Sequence, residues 1–286
     1  MEEKKEEKVR ISVRNLVEFI LREGDLDSRQ GGTTDKEAML LGGRIHRKIQ
    51  RQMGGGYHAE VPLQIVVPCE KLDIIVEGRA DGIIEEDGRT AVDEIKGILQ
   101  DLDLIKEPKK VHLAQAKCYA YIYASIKELS EIGVQMTYCQ METEEVKRFY
   151  QTFSCEELKK WFFDLVHPYE KWAVFQIEWR QKRNQSIKQV EFPFGYREGQ
   201  KDLVVSVYRS ILRKKKLFIQ APTGVGKTMA TVFPAIKAVG EGLANQIFYL
   251  TAKTITRTVA EKAFLTLKEQ GLACKVITLT AKEKIC

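Results

Sequence analysis

A glycine-rich segment at residues 221–228, APTGVGKT, carries residue types that bind a chain of phosphates. It lies between the apolar segment LFIQ and a stretch with helical periodicity, which is the context that a phosphate-binding loop requires. The glycines let backbone amides wrap a phosphate, and the lysine and the last threonine are expected to contact the β- and γ-phosphates and Mg²⁺. The predicted nucleotide-binding residues are Thr223, Gly224, Val225, Gly226, Lys227 and Thr228. The segment therefore predicts a site for ATP with Mg²⁺.

A second group of candidate residues lies at 77–98, in EGRADGIIEEDGRTAVDEIKGI. The two-residue turn Asp87-Gly88 predicts a hairpin that places Asp81 directly opposite Glu94. Such side chains have Cβ atoms about 5 Å apart, and two carboxylates at that distance repel each other unless a divalent cation lies between them. Strand alternation puts Lys96 on the same face as Glu94. The three residues predict Mg²⁺- or Mn²⁺-dependent hydrolysis of a phosphodiester, with the lysine orienting the attacking water or offsetting the developing charge.

The order of these residues resembles the PD-(D/E)XK nuclease superfamily, with Asp81 and Glu94-Ile95-Lys96 at the signature positions. It is most similar to the RecB-type branch, whose additional histidine is matched by Gly43-Arg44-Ile45-His46 and whose QxxxY element is matched by Gln115 and Tyr119. The resemblance implies that the metal ligands are His46, Asp81 and Glu94. It implies that the catalytic residues are Asp81, Glu94, Lys96, Gln115 and Tyr119.

The phosphate loop and its surroundings resemble superfamily 2 DNA helicases, with Ala221 in place of the first loop glycine. Upstream, Gln200 in FGYREGQ matches a glutamine that reads the adenine base in that family. Downstream, Thr251 and Lys253 match a motif that contacts the single-strand backbone, although a strand followed by an N-capping threonine is an equally good interpretation. The segment ITLTAKEKIC resembles the entrance to the iron–sulfur domain of XPD/DinG-like helicases. That resemblance implies that Cys286 is one of four ligands of a 4Fe–4S cluster in the full-length protein.

Apolar periodicity assigns the candidate residues to two α/β patterns. The first has helices at 13–23, 36–53, 111–128 and 155–188, and strands within 57–99 and at 132–140 and 145–152. The second has helices at 197–213, 227–239 and 254–269, and strands at 217–220, 246–251 and 275–279. The predicted fold is a restriction-endonuclease-like αβββαβ nuclease module followed by a partial RecA-like P-loop domain with a parallel sheet. The predicted domains are a nuclease-like domain at 1–180, a basic linker at 181–192 and part of an ATP-binding domain at 193–286, before the Walker B motif.

Charge is unevenly distributed along the 286 residues. The formal net charge is +6, but residues 180–286 hold 20 Lys and Arg against 7 Asp and Glu. This excess favours a polyanionic partner, and we expect DNA that is single-stranded or has a single-strand/duplex junction. The six cysteines have no CxxC spacing, so neither a disulfide framework nor a zinc site is predicted. No apolar run resembles a signal peptide or a membrane span, so a cytoplasmic protein is expected.

The two resemblances together imply an ATP-dependent superfamily 2 DNA helicase with an N-terminal Mg²⁺-dependent nuclease domain, acting in DNA repair or end processing. Two other functions are compatible with the same residues. One is an ATP-gated or translocating nuclease that does not unwind DNA. The other is a degenerate nuclease module that binds DNA without cutting it. Because the Walker B motif and a second motor domain are missing from these residues, the chain is expected to bind nucleotide weakly and not to unwind DNA.

Overall fold

The computed structural model describes residues 7–23, 35–86, 88–222, 224–251 and 254–280, with the side chains of 35–39 and 254–256 left aside. It divides into two compact units, Met1–Val174 and Phe175–Cys286. The division falls inside one long helix, which contributes residues to each unit.

The first unit is built on a mixed β-sheet whose strands follow the order β1-β3-β4-β5-β6, with β2 also paired to β3. The strands are β1 (Lys8–Ser12), β2 (Tyr57–Pro68), β3 (Asp73–Glu86), β4 (Arg89–Ile98), β5 (Glu131–Gln140) and β6 (Val146–Ser154). The helices are α1 (Val13–Ile20), α2 (Asp35–Gln52), α3 (Lys110–Lys127) and the first part of α4 (Cys155–Gln189). The predicted helices and strands of this unit are confirmed to within a few residues, and the α/β class holds here. Strand β1 was not predicted.

The β3–β4 hairpin has the register that its turn predicts. Glu86 lies opposite Arg89, and Gly88 has a φ of 72°, a left-handed conformation that glycine adopts without steric cost. Asp87, the other predicted turn residue, lies outside the described residues. The pairing of Glu86 with Arg89 therefore gives the strands that carry the candidate nuclease residues the predicted register.

The hairpin pairing stops one position before Asp81 and Glu94. Its last rung joins Gly82 to Asp93. Beyond that rung, the same edge of β3 pairs in parallel with β1, at Asp73–Glu77, whereas β5 pairs with the opposite edge of β4 along Ala91–Ile98. The two strands part where β1 replaces β4 as the neighbour of β3, and the predicted direct rung between Asp81 and Glu94 is not formed. We call this point, between Asp81 and Glu94, the fork.

The predicted linker at 181–192 is wrong, because residues 181–189 continue α4. Ile187 in that helix and Val190 just after it are buried in the core of the second unit. The basic residues gave the segment the composition of a linker, but its apolar positions belong to a packed helix. The boundary correspondingly falls at 174 rather than 180.

The second unit contains the end of α4, α5 (Gln200–Leu212), α6 (Lys227–Gly240) and α7 (Thr254–Glu269). Helix α6 is almost entirely buried and packs on the apolar faces of its neighbours. The strands predicted at 217–220, 246–251 and 275–279 are not formed among the described residues. Phe218, Leu250 and Ile277 in these segments are 93%, 89% and 82% exposed. Their apolar runs are typical of strands covered on both faces, but a strand also requires a hydrogen-bonded neighbour, so the predicted RecA-like parallel sheet is not seen in this unit.

In the part of the chain that is described, every helix is too short or too polar to cross a membrane.

Candidate functional site

Asp81 links three elements at the fork. One carboxylate oxygen, Oδ2, accepts a hydrogen bond of 2.8 Å from the backbone nitrogen of Ile95 in β4. The other, Oδ1, lies 3.2 Å from Nδ1 of His46 in α2. Burial lowers the pKa of His46, but the hydrogen bond and the charge of Asp81 outweigh it, so the pKa lies above its ordinary value. The predicted ligands His46 and Asp81 are therefore in direct contact.

Glu94 and Lys96 form a second pair on the adjacent strand. The Lys96 Nζ donates a hydrogen bond of 2.7 Å to Oε1 of Glu94. Glu94 is only 4% exposed, and its Oε2 is buried without a hydrogen-bond partner. Burial, followed by the nearby charge of Asp81, raises the pKa of Glu94 to about 7. A buried carboxylate oxygen without a donor is unfavourable, and a cation beside it would relieve that cost.

The neighbouring carboxylate, Asp93, differs from Glu94 in its hydrogen-bond partners. It is fully buried and accepts hydrogen bonds from the hydroxyls of Thr137 at 2.5 Å and Tyr57 at 3.2 Å and from the amide of Gln135 at 3.2 Å. Strand alternation places it on the other face of β4 from Glu94. Its hydrogen-bonding needs are met by the protein, so Asp93 is structural and Glu94 is the carboxylate available to a ligand.

Helix α3 brings Gln115 and Tyr119 to the same region. Both side chains are buried, and Oε1 of Gln115 has no hydrogen-bond partner. Burial and then the charge of Glu94 raise the pKa of Tyr119 above its ordinary value. A Cβ on Gly78 of β3 would lie 2.6 Å from the Tyr119 hydroxyl, so a glycine there lets helix and strand approach closely. Tyr119 of the predicted QxxxY pair thus lies close enough to Glu94 to feel its charge.

The carboxylates at the fork suit a divalent cation that takes only part of its ligands from the protein. In the described residues, no three or more His, Cys, Asp or Glu side chains converge closely enough to cage a metal. Instead His46 is paired with Asp81, and Glu94 with Lys96. Mg²⁺ usually keeps several waters and takes only one or two protein carboxylates. The unpartnered Oε2 of Glu94 beside the carboxylate of Asp81 fits that mode of binding.

His112 lies on α3, close to Lys96 of β4. Its surroundings predict that the first unit loses stability at acid pH. Its Nδ1 lies 3.1 Å from the Tyr138 hydroxyl, and burial, then the charge of Lys96, lowers its pKa to about 4. A lowered pKa favours the neutral ring in the folded state. Its contribution to stability is therefore complete above the ordinary pKa near 6.5 and is lost as the pH falls towards 4.

When the pH falls from about 7.5 to 4.5, the free energy of unfolding should fall for both the wild type and His112→Gln. We expect the fall to be smaller in His112→Gln, by roughly 1–2 kcal/mol after allowance for partial exposure. Urea denaturation at both pH values measures the difference. His167→Gln on α4 controls for removal of a histidine as such. Equal acid sensitivity of His112→Gln and the wild type would contradict the assignment.

The lysine of the phosphate loop in the second unit is hydrogen-bonded to the loop itself. Lys227 Nζ donates hydrogen bonds of 2.9 Å and 2.6 Å to the carbonyls of Ala221 and Pro222. Gly224 and Gly226 have φ values of 87° and 77°, which are left-handed conformations available to glycine. Gly226 is the N-cap residue of α6, so the amino end of that helix, which favours negative charge, adjoins the loop.

Gln200, the predicted adenine-reading residue, contacts this loop through its side-chain amide. It is 3% exposed; its Nε2 donates to the Gly226 carbonyl at 3.4 Å and its Oε1 accepts from the Arg197 backbone nitrogen at 3.0 Å. The Arg197 guanidinium donates to the Gly224 carbonyl. Both ends of the Gln200 amide are therefore engaged by the protein. Arg197 was not singled out from the sequence, and its position in FGYREGQ was the available signal.

The other predicted nucleotide and DNA contacts are only partly described. Val225 and Thr228 are half-buried, and Thr251 is exposed. Thr223, Lys253 and Cys286 lie outside the described residues. The interpretation of Thr251 as an N-capping residue therefore stays open beside that of a backbone contact.

Comparison with known proteins bears on the second unit. Residues 202–284 match the family model for the DEAD/DEAH box helicase, a segment that includes the phosphate loop. Over 47 residues the chain is 43% identical to a probable ATP-dependent helicase of Methanocaldococcus jannaschii, covering 16% of this chain and 7% of that protein. The crystal structure of SSO0001 matches at 17% sequence identity and covers 55% of this chain and 74% of that one. The TM-score of that match is 0.38, which is too low to assign a fold. Residues 202–284 are thus a helicase-like region, similar to the DEAD/DEAH box family.

Proposed function

We propose that the chain belongs to an ATP-dependent DNA-processing enzyme that joins a metal-dependent nuclease site to a helicase motor. The observation that carries the nuclease is the gathering of Asp81, Glu94 and Lys96 at the fork, where Oε2 of Glu94 is buried without a partner. The family match supports the motor. The M. jannaschii relative, of which this chain covers a small part, is named as a helicase.

At the nuclease site, Asp81 and Glu94, with His46 beside them, would hold Mg²⁺ or Mn²⁺, which polarises the phosphodiester and lowers the pKa of a bound water. Lys96 is a cation held against Glu94, and it offsets the negative charge that develops on the phosphate. Gln115 and Tyr119 would help to fix this lysine and the substrate phosphate. The substrate class is DNA.

In the motor, the amides around Gly224 and Gly226 and the Lys227 ammonium would bind the phosphates of ATP, and Thr228 would coordinate its Mg²⁺. Similarity to the DEAD/DEAH box family supports the use of ATP and Mg²⁺. The assignment to the DinG/XPD-like group, a 4Fe–4S cluster that includes Cys286, and a role in DNA repair rest on sequence resemblance and are part of the proposal.

A second function is favoured by one observation at the fork. His46 is paired with Asp81, and Lys96 with one carboxylate oxygen of Glu94, so each of these four side chains already has at least one protein contact. A module of this kind could bind DNA without holding a metal. Metal binding separates the two functions.

The test is titration of the full chain with Mn²⁺ by calorimetry, comparing Asp81→Asn with the wild type. We expect the substitution to weaken Mn²⁺ binding at least about tenfold, because it removes one of two ligand carboxylates. Asp73→Asn, at the far end of the same strand, is the matched control and should bind as the wild type does. A wild-type chain that binds no Mn²⁺ would support the DNA-binding module.

A further inference from the structure

The pairing of β2 with β3 is interrupted directly beside the candidate metal site. The strands pair on both sides of Glu60, but Glu60 makes no rung with Asp81. The backbone of Glu60 has a φ of 56°, a left-handed conformation that residues with a Cβ rarely adopt, above all inside a strand. Unusual backbone conformations of this kind persist where the surrounding structure enforces them.

The side chain that occupies the interruption is Gln50 of α2. Its Nε2 donates one hydrogen bond of 2.9 Å to the backbone carbonyl of Asp81 and another of 3.2 Å to Oε1 of Glu60. Both amide hydrogens are therefore directed into the gap. The other carboxylate oxygen of Glu60 lies 3.7 Å from the Arg79 guanidinium, which holds the acceptor in place.

Gln50 lies one helical turn after His46, so the two side chains share a face of α2. His46 contacts the Asp81 carboxylate and Gln50 contacts the Asp81 backbone. Apolar packing of Ile45 and Ile49 also presses α2 onto the sheet, but apolar contacts are non-directional. The hydrogen bonds of Gln50 are directional, so they define where His46 lies relative to Asp81.

We propose that Gln50, anchored by Glu60, is a positioning residue that sets the distance between the ligands His46 and Asp81. This inference rests on the proposed metal site and deepens it. Gln50 itself contacts neither substrate nor metal. Its hydrogen bond to the Asp81 carbonyl replaces the one that continuous pairing of β2 with β3 would make. The same hydrogen bond connects α2, which carries His46, to β3, which carries Asp81.

The test uses Gln50→Met, which has a similar length but no donor, and Gln50→Lys, whose ammonium can donate to both the Asp81 carbonyl and the Glu60 carboxylate. The probe is Mn²⁺ alone, titrated into the full chain by calorimetry. We expect Gln50→Met to bind Mn²⁺ roughly tenfold more weakly, as is typical when a residue that orients a metal ligand is lost. Gln50→Lys restores both hydrogen bonds but adds a positive charge near the cation, so it should bind Mn²⁺ more tightly than Gln50→Met and more weakly than the wild type. Gln52→Met, at an exposed position on the same helix, is the control.

A further variant separates positioning from folding. Glu60→Gly suits the left-handed backbone but removes the anchor of Gln50, so it should weaken Mn²⁺ binding without lowering the melting temperature. Unchanged Mn²⁺ affinity in both Gln50→Met and Glu60→Gly would overturn the positioning role and leave the metal site intact. So would Gln50→Lys binding as weakly as Gln50→Met in a folded chain. Absence of Mn²⁺ binding by the wild type would overturn the metal site and, with it, this role.

Discussion

Lys96→Ala is expected to slow metal-dependent DNA cleavage by roughly 10²–10³-fold, the usual cost of removing one group that stabilises charge in the transition state. The lysine is not a metal ligand, and its ammonium lies 2.7 Å from Glu94. Its removal takes a positive charge away from a ligand carboxylate. Mn²⁺ affinity should therefore be kept or increased while the cleavage rate falls, and single-turnover cleavage together with calorimetry measures the two effects separately.

Two controls keep this result interpretable. Lys96→Gln retains a hydrogen-bond donor for the buried Glu94, so it should fold normally and still be slow, because the positive charge is missing. Lys71→Ala, at an exposed site between β2 and β3, should cleave like the wild type. Wild-type cleavage rates in Lys96→Gln and Lys96→Ala would remove the lysine from the mechanism.

Lys227→Ala is expected to weaken binding of Mg²⁺–ATP by roughly 10–100-fold, which corresponds to the loss of charge-assisted hydrogen bonds of about 1.5–3 kcal/mol. The same ammonium donates to the carbonyls of Ala221 and Pro222, so the loop also loses an internal contact. Cleavage without ATP should be unchanged, because the substitution leaves the fork untouched. Calorimetry with Mg²⁺–ATP and the cleavage assay check both statements.

The exposed Lys262→Ala on α7 serves as the control for loss of a positive charge. It should bind Mg²⁺–ATP like the wild type. If Lys227→Ala also binds Mg²⁺–ATP with wild-type affinity, the loop is not the nucleotide site, and Arg197 with Gln200 would be bracing a loop of another function.

The hairpin that carries the candidate nuclease residues could be predicted because its register depends only on a local turn. The fork could not, since it depends on β1, which is distant in sequence and replaces β4 at the edge of β3. The prediction of an Asp81–Glu94 rung was therefore wrong in geometry, although the side chain of Asp81 still reaches the amide between Glu94 and Lys96.

Other differences have the same origin in long-range contacts. The polar composition of 181–192 favoured a linker, but the burial of Ile187 makes the segment part of a packed helix. The apolar runs of the second unit predicted strands, yet strand structure depends on partners that composition does not reveal. Gln50 is an ordinary glutamine in sequence, and only its contact with Asp81 indicates the role that we propose for it.

The measurement that tests the central claim most directly is cleavage of end-labelled single-stranded and duplex DNA by the full wild-type chain, with Mg²⁺, with Mn²⁺ and with a chelator. The proposed site predicts cutting of at least one substrate that requires the metal and stops in the chelator. A folded chain that binds DNA but cuts neither substrate with either metal would contradict the nuclease assignment. The fork would then be a DNA-binding surface, and enzymatic activity would rest with the helicase-like region alone.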